Sequence, residues 1–270
     1  MSKTQKAKRV DYFSKETIRS WEDSDGVNYA IAIARITGWL LHIDWWRAEH
    51  EETDVNKMKS LRVYVGDNAD NIYDVRGKKR IASFTNNVIM PLAIKIGKGK
   101  GEVLTRYYSE QKLLTMPLRV KPDLVRINKA EEIIRNATGF LKTLPIRQSP
   151  FIPADQAANF TFGHCAVFAN ALSDITKLPS TAIIALRYSS LFSNSKLGYV
   201  HSFNFYPDGS TEDVWGIQTI EKIAARFGIE EYKLSEEEHQ KVNNNLKNNS
   251  PEKYNQIYEE AISLIKSYRQ

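Results

Sequence analysis

An α+β fold is what the sequence predicts: two tandem helix-plus-antiparallel-sheet units, a partly helical linker between them and a helical C-terminal tail. Three observations predict it. A shift of 139 positions aligns the two halves of the chain without a gap. Under that shift each half reads as a short helix, a connection and then a β-hairpin. The second hairpin contains Pro207-Asp208-Gly209 between alternating strands, a strong turn signal. The boundaries are 1–90 for the first repeat, 91–149 for the linker, 150–234 for the second repeat and 235–270 for the tail.

The repeat holds position by position. Ala30, Ala32, Ile36 and Thr37 meet identical residues at Ala169, Ala171, Ile175 and Thr176, while Tyr29 and Ile33 meet the similar Phe168 and Leu172. The same shift sets Tyr64 opposite Phe203, Asp74-Val75-Arg76-Gly77 opposite Asp213-Val214-Trp215-Gly216, and Ile81 opposite Ile220. Upstream it sets Tyr12 opposite Phe151 and Trp21 opposite Phe160. Self-similarity at one fixed offset, concentrated at apolar and turn-forming positions, marks a duplicated unit.

In each copy the apolar spacing, over 27–37 and 165–176, is helical. The first hairpin falls at 61–65 and 72–75, the second at 199–206 and 212–215, and a further short helix begins near Lys79 or Thr219. Between the copies, Gly97, Gly99 and Gly101 among lysines mark a loop, and 129–141 reads as a helix. The tail has two helical stretches split by 244–251. Its second stretch starts at Pro251 and carries Tyr254, Ile257, Ala261 and Ile265 at the spacing of a face docked on a core.

The 270 residues, 42% hydrophobic and 11% aromatic, suffice for two cores. A single cysteine, Cys165, rules out an internal disulfide. No apolar run reaches the roughly 18 residues of a transmembrane helix, and the basic start, 1–9, lacks the apolar stretch of a secretory signal. The net charge of +6 sits in short clusters at 3–9, 78–80 and 95–100 without interleaved aromatics, which argues against a nucleic-acid partner. His42, His50 and His239 lack metal-ligand spacing, so neither a metal nor a cofactor is expected.

Thiol catalysis needs a thiolate, an imidazole that takes its proton and a third group that orients the imidazole. Cys165 opens a helix directly after Gly163-His164. The free N–H groups of a helix start lower a thiol's pKa and can line an oxyanion hole. His201 opens a hairpin strand, and Asp213 lies on the returning strand nearly opposite it. Singly, these are an ordinary buried cysteine, strand histidine and turn aspartate. Their order on these elements predicts a catalytic triad. At the repeat offset Cys165 meets Gly26 and His201 meets Arg62, whereas Asp213 meets Asp74. The first copy therefore keeps the scaffold and lacks nucleophile and base. An Arg62–Asp74 pair is expected in the space of the lost dyad.

Gly163-His164-Cys165 with Phe168-Ala169, and His201-Ser202-Phe203 through Pro207-Asp208-Gly209 to Asp213-Val214-Trp215-Gly216, resemble the motifs of the papain-like and transglutaminase-like cysteine hydrolases of bacterial effectors and toxins. The resemblance covers residues 150–225. It implies papain-like units, acyl-thioenzyme chemistry and a side-chain oxyanion donor upstream of the cysteine. Asn159, six positions before Cys165, and Gln156, nine before, are the candidates for that donor. It further implies a hydrolase or transferase acting on an amide or isopeptide bond of a protein substrate, of protease or glutamine-deamidase type. Such a protein works in the cytoplasm or is delivered into a target cell. The alternative is a non-catalytic tandem pseudoenzyme that grips a protein partner.

Overall fold

A computed structural model describes residues 12–67, 70–147, 152–161, 163–189 and 195–269; the basic segment 1–9 and Phe151 lie outside them. The chain forms two units, one of 1–37, 41–66 and 71–145, the other of 38–40, 67–70 and 146–270. No helix among the described residues is long and apolar enough to cross a membrane.

The first unit begins with a continuous helical run. Ser14 caps α1 (Lys15–Ser20) by accepting the Thr17 N–H at 3.1 Å, a π turn (Trp21–Asp25) follows, and α2 (Gly26–Thr37) completes the run. Then come β1 (Leu40–Arg47), β2 (Lys59–Gly66), β3 (Asn71–Asp74), β4 (Gly77–Arg80), α3 (Ile81–Phe84), α4 (Met90–Gly97) and β5 (Glu102–Tyr108). Three helices close the unit: α5 (Glu110–Leu113), α6 (Leu124–Asn136) and α7 (Thr138–Leu141). The five strands form one sheet in the order β4-β3-β2-β1-β5. α2 buries Tyr29, Ile31 and Ile33 and packs against β2 and α6.

The second unit holds α8 (Ala154–Thr161), α9 (Cys165–Thr176), β6 (Ser180–Tyr188), β7 (Gly198–Phe205), β8 (Thr211–Asp213), β9 (Gly216–Gln218), α10 (Ile220–Arg226), β10 (Ile229–Ser235), α11 (Glu236–Asn249) and α12 (Pro251–Tyr268). Its sheet runs β10-β6-β7-β8-β9. Phe168 and Leu172 of α9 meet Val214, Ala261 and Ile265 in one core. Ile183 and Phe203 meet Ile223 and Phe227 of the α10 region in another.

The first sheet, taken from its other edge, is β5-β1-β2-β3-β4, the same order as in the second. α2 and α9, and likewise β2 and β7, are offset by 139 at both ends. Individual bonds repeat as well. Thr37 Oγ1 donates to the Ile33 carbonyl at 2.8 Å, and Thr176 Oγ1 to the Leu172 carbonyl at 2.7 Å. Asp74 Oδ1 accepts the Arg76 N–H at 2.8 Å, and Asp213 Oδ1 the Trp215 N–H at 2.8 Å. Gly77 and Gly216, which end these turns, have φ of 91° and 96°.

Each sheet also contains strands that periodicity did not show. The connections after α2 and α9 hold β1 and β6. In β6, residues 181–185 are buried without alternation, so no period of two is visible. The expected linker supplies β5, paired antiparallel with β1, and α6, packed on α2, so it belongs to the first unit. The expected tail packs α12 on α9. The helix expected at 129–141 starts at Leu124, because Asp123 caps it by accepting the Arg126 N–H at 2.8 Å. α11 runs through the asparagine cluster to Asn249, and Ser250 is the break.

Candidate active site

The two copies differ first in backbone. In the first unit the helical run passes through Gly26 without interruption. In the second, Gly163 turns at φ 84° and His164, at φ −117°, gives α9 no side-chain cap. The first-turn N–H groups of α9 are thus left for another acceptor, and Cys165 is the first helical residue. Only the copy that carries the cysteine has an open helix start.

His201 is aimed by a β-bulge. Ile183 pairs with His201 and Ile184 with Tyr199, so Val200 is an extra residue on β7. Tyr199 and Ser202, three apart, thereby fall on one face, with Tyr199 Oη and Ser202 Oγ 2.9 Å apart. The β7–β8 ladder pairs Asn204 with Glu212 and Phe205 with Thr211. Asp213 therefore reaches His201 diagonally across the ladder, consistent with the nearly opposite placement expected. His201 Nε2 donates to Asp213 Oδ2 at 2.9 Å. Arg226 donates to the same oxygen, while Oδ1 takes the Trp215 N–H and, at 2.7 Å, Gln218 Nε2. Burial pushes the Asp213 carboxyl up, but Arg226 and then His201 outweigh it and hold it well below the usual carboxylate range.

The thiol is poised by charge. Burial opposes ionisation of Cys165, yet the charge of His201, with polar contacts from His201, Tyr199 and the Ser202 N–H, brings it down. Burial likewise lowers His201, and the Cys165 thiolate with Asp213 raises it above its ordinary value. The two shifts run in opposite senses, the thiol down and the imidazole up, which is the direction of a thiolate–imidazolium pair. No aligned hydrogen bond joins the two, and His201 Nδ1 is buried without a hydrogen-bond partner.

A chain of hydrogen bonds ends on the sulfur. Burial pushes His239 down to about 4, so it is neutral at pH 7. Its Nδ1 lies 2.9 Å from Ser202 Oγ, Ser202 bonds Tyr199 Oη, and Tyr199 Oη is 3.3 Å from Cys165 Sγ. Burial first, and then the Cys165 charge, keep the Tyr199 phenol protonated, so it can donate to a thiolate.

Cys165, His201 and Asp213 come together, and all three are buried, at 5%, 0% and 2% exposure. Asn159 and Gln156 do not join them. Both are exposed and line a hollow with Glu260, Ser263, Ser267 and Tyr268, and Cys165 is not among its walls. Asn159 and Gln156 are thus turned toward α12 because α8 buries Ala157, Ala158 and Thr161 on its other side. The expected Arg62–Asp74 pair is also replaced. Arg62 donates to the Glu22 carbonyl, and Asp74 is held by Lys79. Among the described residues no cluster of His, Cys, Asp or Glu is arranged to hold a metal. Tyr199, Ser202, Arg226, Gln218 and His239 were missed from sequence. The bulge that aims Tyr199 has no local signal, and Arg226 and His239 reach the site only through tertiary packing. No family model, curated protein or solved structure matches the chain.

Proposed function

We propose that the chain is a cysteine hydrolase or acyltransferase that opens an amide or isopeptide bond of a protein substrate, of protease or glutamine-deamidase type. The observation behind this reading is Cys165 at an uncapped helix start, its pKa drawn down by a histidine whose Nε2 is fixed by Asp213. The thiolate attacks the carbonyl carbon, and the C=O electron pair moves to oxygen, which accepts from first-turn N–H groups of α9. His201 gives its Nδ1 proton to the leaving nitrogen as the C–N bond breaks, leaving a thioester on Cys165. Water then attacks the thioester, His201 takes its proton, and the C–S bond breaks to release the acid and restore the thiolate. An amine in place of water gives transfer. Since Cys165 is 5% exposed, substrate reaches the sulfur only after the site opens.

p-Nitrophenyl acetate tests the chemistry. The expected result is a burst of one nitrophenolate per chain with the acetyl group on Cys165. The burst is lost in Cys165→Ala, and it is strongly slowed in His201→Ala. The burial of the dyad favours the competing pseudoenzyme reading. Acylation no faster than that of a free thiol, and unchanged in His201→Ala, would establish that reading instead.

A further inference from the structure

The first unit has a cavity where the second has its candidate triad. Gly26, Arg62 and Asp74, counterparts of Cys165, His201 and Asp213, all line a space of about 130 Å³. That is close to the roughly 150 Å³ of an apolar cavity that admits benzene. Part of the wall is aromatic: Trp21 and Tyr29 stack with centroids 4.1 Å apart, and Phe84 lines the same space. Four cationic side chains and three carboxylates line it. Arg76 takes the Glu22 carboxylate and Lys79 takes Asp74, while Asp23 is exposed. Arg62 and Arg119 are left with carbonyl oxygens, those of Glu22 and Asp23, as side-chain partners. The lining thus carries an excess of one positive charge, and Arg62 and Arg119 are the two cations that hydrogen-bond no carboxylate, although the Arg62 charge acts on Glu22. Independently, Tyr29 is 3% exposed and its hydroxyl has no hydrogen-bond partner. A buried donor without an acceptor on the wall of a cavity points to an acceptor supplied from outside.

We propose that this cavity binds a compact aromatic carboxylate, either a free acid or the C-terminal residue of a peptide. The ring lies against Trp21, Tyr29 and Phe84, and the carboxylate accepts from Arg62 and the Tyr29 hydroxyl. The assignment does not depend on the chemistry of Cys165. Calorimetry on the full chain tests it with three probes: 3-phenylpropionate, a tripeptide ending in phenylalanine, and the same tripeptide amidated. Saturable one-to-one binding is expected for the free acid or the acid peptide, whichever is tighter naming the source, and none for the amide. Tyr29→Phe removes only an unpartnered hydroxyl, so it keeps the fold. It and Arg62→Gln should each weaken binding by about tenfold or more. Cys165→Ala should leave affinity unchanged. No saturable binding by either acid up to about 1 mM, equal binding of the amide, or indifference to both Tyr29→Phe and Arg62→Gln would overturn the proposal.

Discussion

Asp213 uses its two oxygens for two purposes. Oδ1 closes the turn into β9 by accepting the Trp215 N–H, as Asp74 does for Arg76. Oδ2 meets His201 and Arg226, where Asp74 Oδ2 meets Lys79. The turn role explains why the aspartate is present in both copies, and what the histidine copy adds is His201 and Arg226 on the second oxygen in place of a lysine. Arg226 is 4% exposed, so removing its counter-charge strands a buried cation. Asp213→Asn should therefore lower stability by about 3–5 kcal/mol in urea denaturation. The acid limb follows from the sign of the shift. The folded carboxyl titrates below its unfolded value, so the unfolded chain takes up the proton first. The stabilisation is present above about pH 4 and is lost as pH falls below it. Asp213→Asn should lack that part of the acid slope, which denaturation at pH 5 and pH 3 measures. The same residues show what a sequence reveals. The meeting of Cys165, His201 and Asp213 was legible because cysteine, histidine and aspartate each sat on an element that periodicity or turn chemistry could place. Arg226 was illegible because its burial is decided by the packing of α10 against the sheet.

At the scale of elements, the break before α9 separates a helix start without a side-chain cap from a helical run that continues through Gly26. Gly163 has no atom within 4 Å of where a Cβ would stand, so its requirement is purely one of backbone. Gly163→Ala should cost about 1–2 kcal/mol, and Gly163→Asn less, since asparagine tolerates positive φ. Equal stability of the native protein and both variants by urea denaturation would mean that the turn is not held at φ 84°. α2, α9 and the hairpins could be read from apolar spacing and Pro207-Asp208-Gly209. The central strands β1 and β6 could not, because burial on both faces erases alternation in β6, and β1 too is buried at successive residues. The edge strands β5 and β10 gave no signal either. Their place is set by pairing with β1 and β6, not by their own composition.

At the scale of the whole molecule, one strand order occurs twice, and only the second copy carries the cysteine and histidine of the candidate site. The duplication was legible because a single offset survived at buried positions. The fate of the first copy was not legible, because Arg62 and Asp74 took new partners. Putting Gly26→Cys and Arg62→His into Cys165→Ala should not transfer activity: the run through Gly26 is continuous helix, and a Cβ there meets the Trp21 carbonyl at 2.9 Å. Its new thiol should alkylate with an ordinary pH midpoint near 8.5, and a burst with p-nitrophenyl acetate would contradict this. The central claim, that His201 turns Cys165 into a poised thiolate, is tested most directly by the pH dependence of alkylation of native protein and of His201→Ala. Iodoacetamide should label native Cys165 with a midpoint of about 7, because the charge of His201 overcomes burial. In His201→Ala burial is no longer opposed by that charge, and the midpoint should rise to the ordinary thiol value of about 8.5 or higher. A native midpoint already near 8.5, and the same in His201→Ala, would contradict the account.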